Sequence, residues 1–159
     1  MTKILIFGNS SSGKSTLAKR LSQTKNLAHL DLDTIAWNEG MPPTRKPLAG
    51  SKALIDDFTS QNASWVLEGC YSDLLELVLE DASEVIFMDL PVASCVENAR
   101  RRPWEPHKYA SKEEQDQNLD MLIEWMQNYE LRSDTFSREA HQHLFEQFSG
   151  VKRRVIRND

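Results

Sequence analysis

Gly8-Asn9-Ser10-Ser11-Ser12-Gly13-Lys14-Ser15-Thr16 is the stretch that decides how this chain is read. It fits the pattern G-x-x-x-x-G-K-[ST], and both flanks supply the context that the pattern needs. Before it, Lys3-Ile4-Leu5-Ile6-Phe7 is short, apolar and partly β-branched, as a buried parallel strand is. After it, Lys14 to Gln23 sets Leu17, Ala18 and Leu21 on one helical face. Gly8 and Gly13 permit backbone angles closed to residues with a Cβ, so successive N–H groups can turn inward around a phosphate. The helix start adds its partial positive charge. In such a loop Lys14 reaches the outer phosphates and the Ser15 hydroxyl joins a Mg²⁺ shell. Residues 8–16 are therefore expected to hold the phosphates of a nucleoside triphosphate. No Asn-Lys-x-Asp guanine-reading motif occurs in the chain, which favours ATP.

The composition sets bounds around that loop. With 159 residues, 40% hydrophobic and 27% charged, the chain reads as one soluble globular domain over residues 1–159. A formal charge of −5 argues against nucleic acid bound through a broad basic face, while leaving room for a local basic pocket. Cys70 and Cys95 are too few for a disulfide framework and fit a reducing compartment. Cys95 lies in a helical stretch and reads as a small core residue. No cationic, apolar leader precedes the first strand and no apolar run has membrane-spanning length, so the expectation is a cytoplasmic protein with no membrane partner.

Outward from the loop, helical and strand-like stretches alternate, which predicts an α/β protein: a parallel sheet with helices on both faces, in three layers. Leu27 to Leu32 reads as the second strand. A loop follows through Trp37-Asn38-Glu39-Gly40-Met41-Pro42-Pro43, whose prolines and glycine exclude regular structure. Leu48 to Ser60 reads as a helix burying Leu54, Ile55 and Phe58. Trp65 to Glu68 is a third strand, Leu74 to Leu79 a short helix, and Val85 to Asp89 a fourth strand. After Pro91 a helix with Val92, Cys95, Val96 and Ala99 inside runs into Arg100-Arg101-Arg102-Pro103, and Pro103 to His107 reads as an exposed loop. Lys112 to Glu130 places Leu119, Leu122, Ile123 and Met126 on one helical face. Ser137 to Phe148 is a further helix, and Val151 to Ile156 a last strand.

Ligands collect at the carboxyl ends of the strands in such a sheet. There the sequence sets Asp31, Asp33, Glu68 and Asp89. If Asp31-Leu32-Asp33 is extended, both carboxylates lie on one side, one near Mg²⁺ and the next at an acceptor hydroxyl. The competing reading is that Asp33 caps a turn. Glu68 and Asp89 compete for a water-mediated metal role, and Asp89 precedes a proline-started helix, where a cap is common. Arg100, Arg101 and Arg102 can neutralise charge on a transferred phosphoryl group, although helix C-termini attract cations anyway. Arg132 and Arg138 are further candidates for that work. Trp104, His107 and Tyr109 read as loop packing. Arg45 and Lys46 suit an anionic acceptor or an ordinary exposed loop equally well.

Taken together, the loop, His29-Leu30-Asp31-Leu32-Asp33, Trp65-Val66-Leu67-Glu68-Gly69, Val85 to Pro91 and the arginine-rich loop resemble the nucleoside and nucleotide kinase group of P-loop proteins, which includes adenylate and shikimate kinases. Within it the chain is similar to the small adenylate-kinase-related proteins labelled DNA topology modulation proteins, through Trp65–Gly69, Asp89–Pro91 and a Trp125-x-x-x-Tyr129 helix. The resemblance implies a P-loop NTPase fold with a five-stranded parallel core, an acceptor-binding region around 34–64 and a short lid around 101–113. It also implies phosphoryl transfer from Mg-ATP to a small-molecule acceptor, with ATP and Mg²⁺ as cofactors. Two departures stand out. Ser72 occupies the place of an adenylate-kinase arginine that holds the acceptor phosphate, and Gly69 stands alone where shikimate kinases carry a glycine run. On these grounds the expected roles are Gly8 to Thr16 on ATP, Ser15, Asp31 and Glu68 on Mg²⁺, and Lys14, Asp33 and Arg100 to Arg102 in catalysis. The rival readings are an ATP-driven switch and a plain ATPase.

Overall fold

The computed structural model describes residues 1–40 and 43–158. Met41 and Pro42, in the predicted loop, and Asp159, at the end of the predicted domain, lie outside the described residues. In chain order the elements are β1 (Lys3–Gly8), α1 (Lys14–Lys25), β2 (Ala28–Asp31), a 3-10 turn (Leu32–Thr34), α2 (Leu48–Gln61), β3 (Trp65–Gly69) and α3 (Ser72–Val78). They continue with β4 (Glu84–Met88), α4 (Val92–Arg101), α5 (Lys112–Gln127), α6 (Arg138–Gln147) and β5 (Val151–Val155). The five strands are parallel in the order β2-β3-β1-β4-β5.

Strand alternation divides the core. Leu5, Phe7, Trp65, Leu67, Val85 and Phe87 face α2, α3 and α6, where Ile55, Leu74, Leu75 and Leu144 complete the packing. Ile4, Ile6, Val66, Ile86 and Met88 face the other way, against Leu17 and Ala18 of α1, Cys95 and Ala99 of α4, and Ile123 and Met126 of α5. Each of these large apolar side chains contributes roughly 2 kcal/mol by leaving water. The expected stripe on α2 is corrected at one position: Leu54 is exposed, and Ser51 shares the buried face with Ile55, its hydroxyl donating to the Ile35 carbonyl at 3.0 Å. The loop expected to lack regular structure makes one antiparallel bridge, Trp37 with Arg45. The last two helices are shorter than their apolar patterns, so Tyr129 lies beyond the end of α5.

β1 runs between β3 and β4 and so delivers the loop at the middle of the sheet. Gly8 has φ +154°, and a Cβ there would lie 2.4 Å from the Met88 carbonyl oxygen. Only glycine lets β1 leave the sheet at that point. Both thiols stay protonated, half-buried Cys70 pushed up to about 12 and buried Cys95 to about 11, chiefly by desolvation. Among the described residues no helix is long and apolar enough to cross a membrane.

His141 of α6 is solvent-excluded. It donates from Nε2 to the Cys70 carbonyl at 2.8 Å and accepts the Tyr129 hydroxyl at Nδ1 at 2.6 Å. This neutral tautomer satisfies both ring nitrogens. Burial, with the charges of Lys14 and Arg132 adding to it, pushes its pKa down to about 4 from 6.5. Below pH 6.5 the unfolded chain binds a proton that the folded chain refuses, so stability falls as pH drops from 6.5 towards 4. The His141 share of this, on the order of 3 kcal/mol across that window, is expected to appear as the difference between wild type and His141→Gln in denaturant unfolding at a series of pH values.

Candidate active site

The loop from Gly8 to Thr16 is shaped before any ligand binds. Ser11 and Gly13 have positive φ, 61° and 94°, which turns the backbone amides inward. No side chain caps α1 and no acidic residue sits in its first turn, so the helix start is free for an anion. The Ser12 hydroxyl is buried without a hydrogen-bond partner. Lys14 is buried and donates to the Asn9 carbonyl at 2.6 Å, folded back over the loop. Asn9 itself reaches Met126 of α5, while Asn98 of α4 and Asn158 donate to the Ser11 and Ser12 carbonyls at 2.9 and 3.1 Å. These groups form a cradle for a polyphosphate.

Strand parity sorts the carboxylates. Glu68 follows Val66 on the α1 face. Its Oε2 accepts the Ser15 hydroxyl at 2.7 Å and His29 Nε2 at 2.9 Å, and the side chain is 2% exposed. Ser15 and Glu68 are hard oxygen donors side by side at the loop, a set that suits Mg²⁺. Asp89 carries the opposite parity and faces α6. Arg138 grips it in bidentate fashion at 2.9 and 2.8 Å, and Arg154 of β5 adds a bond at 2.5 Å. Desolvation would raise its pKa, but the two arginines hold it below the usual carboxylate range. Asp89, which the sequence sets against Glu68 for a metal role, thus belongs to an ion-pair cluster on the far face of the sheet.

The Asp-x-Asp expectation is corrected. β2 ends at Asp31, and Leu32–Thr34 is a 3-10 turn, so the two carboxylates do not share one side of an extended chain. Asp31, not Asp33, is the cap; its Oδ1 accepts the Asp33 amide at 2.9 Å. Burial, with the charges of Glu68 and Asp33, raises Asp31 to about 6. Asp33 is left to face the cleft, where Oδ1 accepts the Tyr71 hydroxyl at 2.5 Å and Oδ2 accepts Lys108 Nζ at 3.0 Å. Burial alone would raise its pKa, yet Lys108, Tyr71 and Lys14 hold it below the ordinary value.

The arginine triplet divides as well. Arg100 is exposed, and Arg101 pairs along the α4 surface with Glu97. Arg102 alone turns inward, donating to the Ser11 hydroxyl and lying 3.1 Å from Glu105. Arg132 donates to the Trp125 carbonyl and stacks on the Trp125 ring, and Arg138 holds Asp89, so neither is directed at the loop. Arg45 lies over Tyr71 and Phe136 and is paired with Asp73 at 3.1 Å. Ser72 donates to the Thr135 carbonyl at 2.6 Å.

A cavity of about 930 Å³ joins Lys14, Ser15, Asp33, Glu68, Arg102 and Lys108, walled by Trp37, Tyr71, Trp104 and Trp125. Lys108, Tyr71 and Trp37 line this cavity and His29 contacts Glu68, and sequence reasoning gave none of the four a role. His29 had a signal, since it precedes Asp31 by two residues on one strand. Tyr71 follows closely on the carboxyl end of β3, where ligands gather. Lys108 had none, because it lies in an aperiodic turn between prolines and a helix cap.

A profile of the AAA domain family matches residues 4–120. The chain belongs to that family. Among solved structures it is similar to a sugar kinase from Janibacter sp., at 16% identity and TM-score 0.51, over 79% of this chain and 91% of that one. A shikimate kinase from Bacteroides thetaiotaomicron matches at 18% identity and TM-score 0.46, covering 91% of this chain and 97% of its own. A search of curated proteins returns no match. With the parallel sheet, the Janibacter likeness bears out the P-loop kinase-type fold; identities this low show the fold alone.

Removing Asp89 separates its role from that of Glu68. Asp89→Ala strands two half-exposed arginines and is expected to cost about 2 kcal/mol in denaturant unfolding, with Mg²⁺-dependent nucleotide binding by calorimetry unchanged.

Proposed function

We propose that this member of the AAA domain family is a small-molecule kinase that transfers the γ-phosphoryl group of Mg-ATP to an acceptor bound under the lid. The observation that carries the reading is the meeting, in one cavity, of a phosphate loop with the Asp33 carboxylate and the inward-turned Arg102. The loop amides and Lys14 hold the phosphates. Ser15 and Glu68 are the groups that would hold Mg²⁺, with His29 fixing Glu68 and Asp31 behind it; the metal, when bound, offsets charge on the outer phosphates. Asp33 orients the acceptor hydroxyl and takes its proton. Arg102 stabilises charge on the phosphoryl group as it moves, and the lid excludes water.

The nucleoside end of the donor has its own support. A second cavity of about 670 Å³ opens from Ser11, Gly13 and Thr16; among the described residues its lining includes Arg20, Arg101, Arg153 and Arg157 and no carboxylate. In a chain of charge −5, that local basic pocket suits the sugar and α-phosphate of a nucleotide.

The decisive assay is ADP release from Mg-ATP against nucleosides, nucleoside monophosphates and small polyols. One acceptor class is expected to drive turnover. Lys14→Ala should lower kcat/KM by several kcal/mol of transition-state binding, and Asp33→Asn should lower acceptor-dependent kcat by about 100-fold. Slow turnover indifferent to every acceptor, or to the Lys14 change, would replace the kinase with a nucleotide switch or hydrolase.

A further inference from the structure

Both carboxylate oxygens of Asp33 are engaged, and their partners differ in origin. Tyr71, which fills Oδ1, follows β3 and is itself fixed by the Trp37 indole N–H at 2.8 Å. Lys108, which fills Oδ2 at 3.0 Å, comes from the lid. The lid is tied down independently. Gln115 of α5 accepts the Glu105 amide at 2.8 Å and donates to the Pro103 carbonyl at 3.1 Å, and Arg102 joins Glu105 to the loop hydroxyl of Ser11.

We propose that Lys108 is a lid-borne guard on Asp33: without an acceptor it withholds the carboxylate from water, and an arriving acceptor hydroxyl displaces it. The inference deepens the kinase reading and rests on Asp33 as the acceptor-facing carboxylate. In acceptor-free hydrolysis, water takes the acceptor's place. The bond between the γ-phosphorus and the bridging oxygen breaks, a bond from the γ-phosphorus to the water oxygen forms, and ADP and phosphate leave. The water proton needs a base, and Asp33 is the carboxylate at hand. An ammonium on Oδ2 occupies the lone pair that would take that proton, and its charge lowers the basicity of the group.

Release needs no lid opening. Lys108 Nζ already lies 3.7 Å from Glu105 Oε2, so a side-chain movement carries it from one carboxylate to the other with its charge still paired. Lys108 touches Asp33 rather than the reacting atoms and is a positioning residue. The arrangement couples turnover to acceptor binding, which a kinase whose cleft holds ATP in water requires.

The test is ADP release from Mg-ATP with no acceptor present. Lys108→Met and Lys108→Gln are expected to raise it about tenfold or more, within what a positioned base contributes, while Lys108→Arg keeps it at the wild-type level. The pair Lys108→Met with Asp33→Asn should lose the excess, because the excess runs through Asp33. Excess hydrolysis that survives in the pair means water passing a loosened lid and overturns the proposal. So does unchanged hydrolysis in both neutral variants with native circular dichroism. Acceptor-dependent turnover of the wild type reports on the kinase reading separately, since the Lys108 comparison is made in water alone.

Discussion

Ile4-Leu5-Ile6-Phe7 is wholly excluded from solvent, and its side chains alternate between the two faces of the sheet. A strand buried on both sides must pair all its backbone groups with neighbours, and β1 does so by lying between β3 and β4 in parallel register. That pairing brings the carboxyl ends of three strands together. It also sets Gly8 so close to the Met88 carbonyl that the chain can turn only with glycine there. The same parity carries Glu68 to the α1 face beside Ser15 and sends Asp89 to α6 and its two arginines. Two acidic residues that look alike at strand ends thus differ in their partners because of which side of the sheet each one faces.

On the cleft side, polar groups pair both within the 102–108 segment and from it to other elements. Arg102 meets Ser11 and Glu105, Lys108 meets Asp33 and Glu105, and Asp33 continues through Tyr71 to Trp37. The contacts link the phosphate loop, the 102–108 segment, Asp33, Tyr71 and Trp37 in one polar network. In a partly dry cleft each such contact is stronger than in water and an unpaired member is costly. The 102–108 segment is therefore held by side chains that also carry the proposed chemistry. The exchange of Lys108 between Asp33 and Glu105 would keep the ammonium paired while freeing one Asp33 oxygen.

Much of the fold was legible in the chain. Short apolar runs at 3–7, 65–68 and 85–88 are strands because their side chains pack on both faces, and the glycine pattern at 8–13 is a phosphate loop because its geometry needs those residues. The site was legible where it lies within the loop or at a strand end. It was less so at Asp31-Leu32-Asp33, where an extended reading gave way to a 3-10 turn that moved the cap from Asp33 to Asp31. Asp commonly caps turns, and local preference does not say which of two neighbours will do it.

Sequence by itself determined the parallel α/β sheet, the phosphate loop and the presence of acidic strand ends, since each follows from local periodicity or from a backbone conformation that few residues can adopt. Tertiary structure decided which charges meet. Glu68 over Asp89, Arg102 over Arg100 and Arg101, and the approach of Lys108 to Asp33 all depend on residues far apart in the chain. The physical reason is that a long polar side chain has no periodic signature. Its partner is set by the relative placement of packed elements, which hydrophobic burial fixes first.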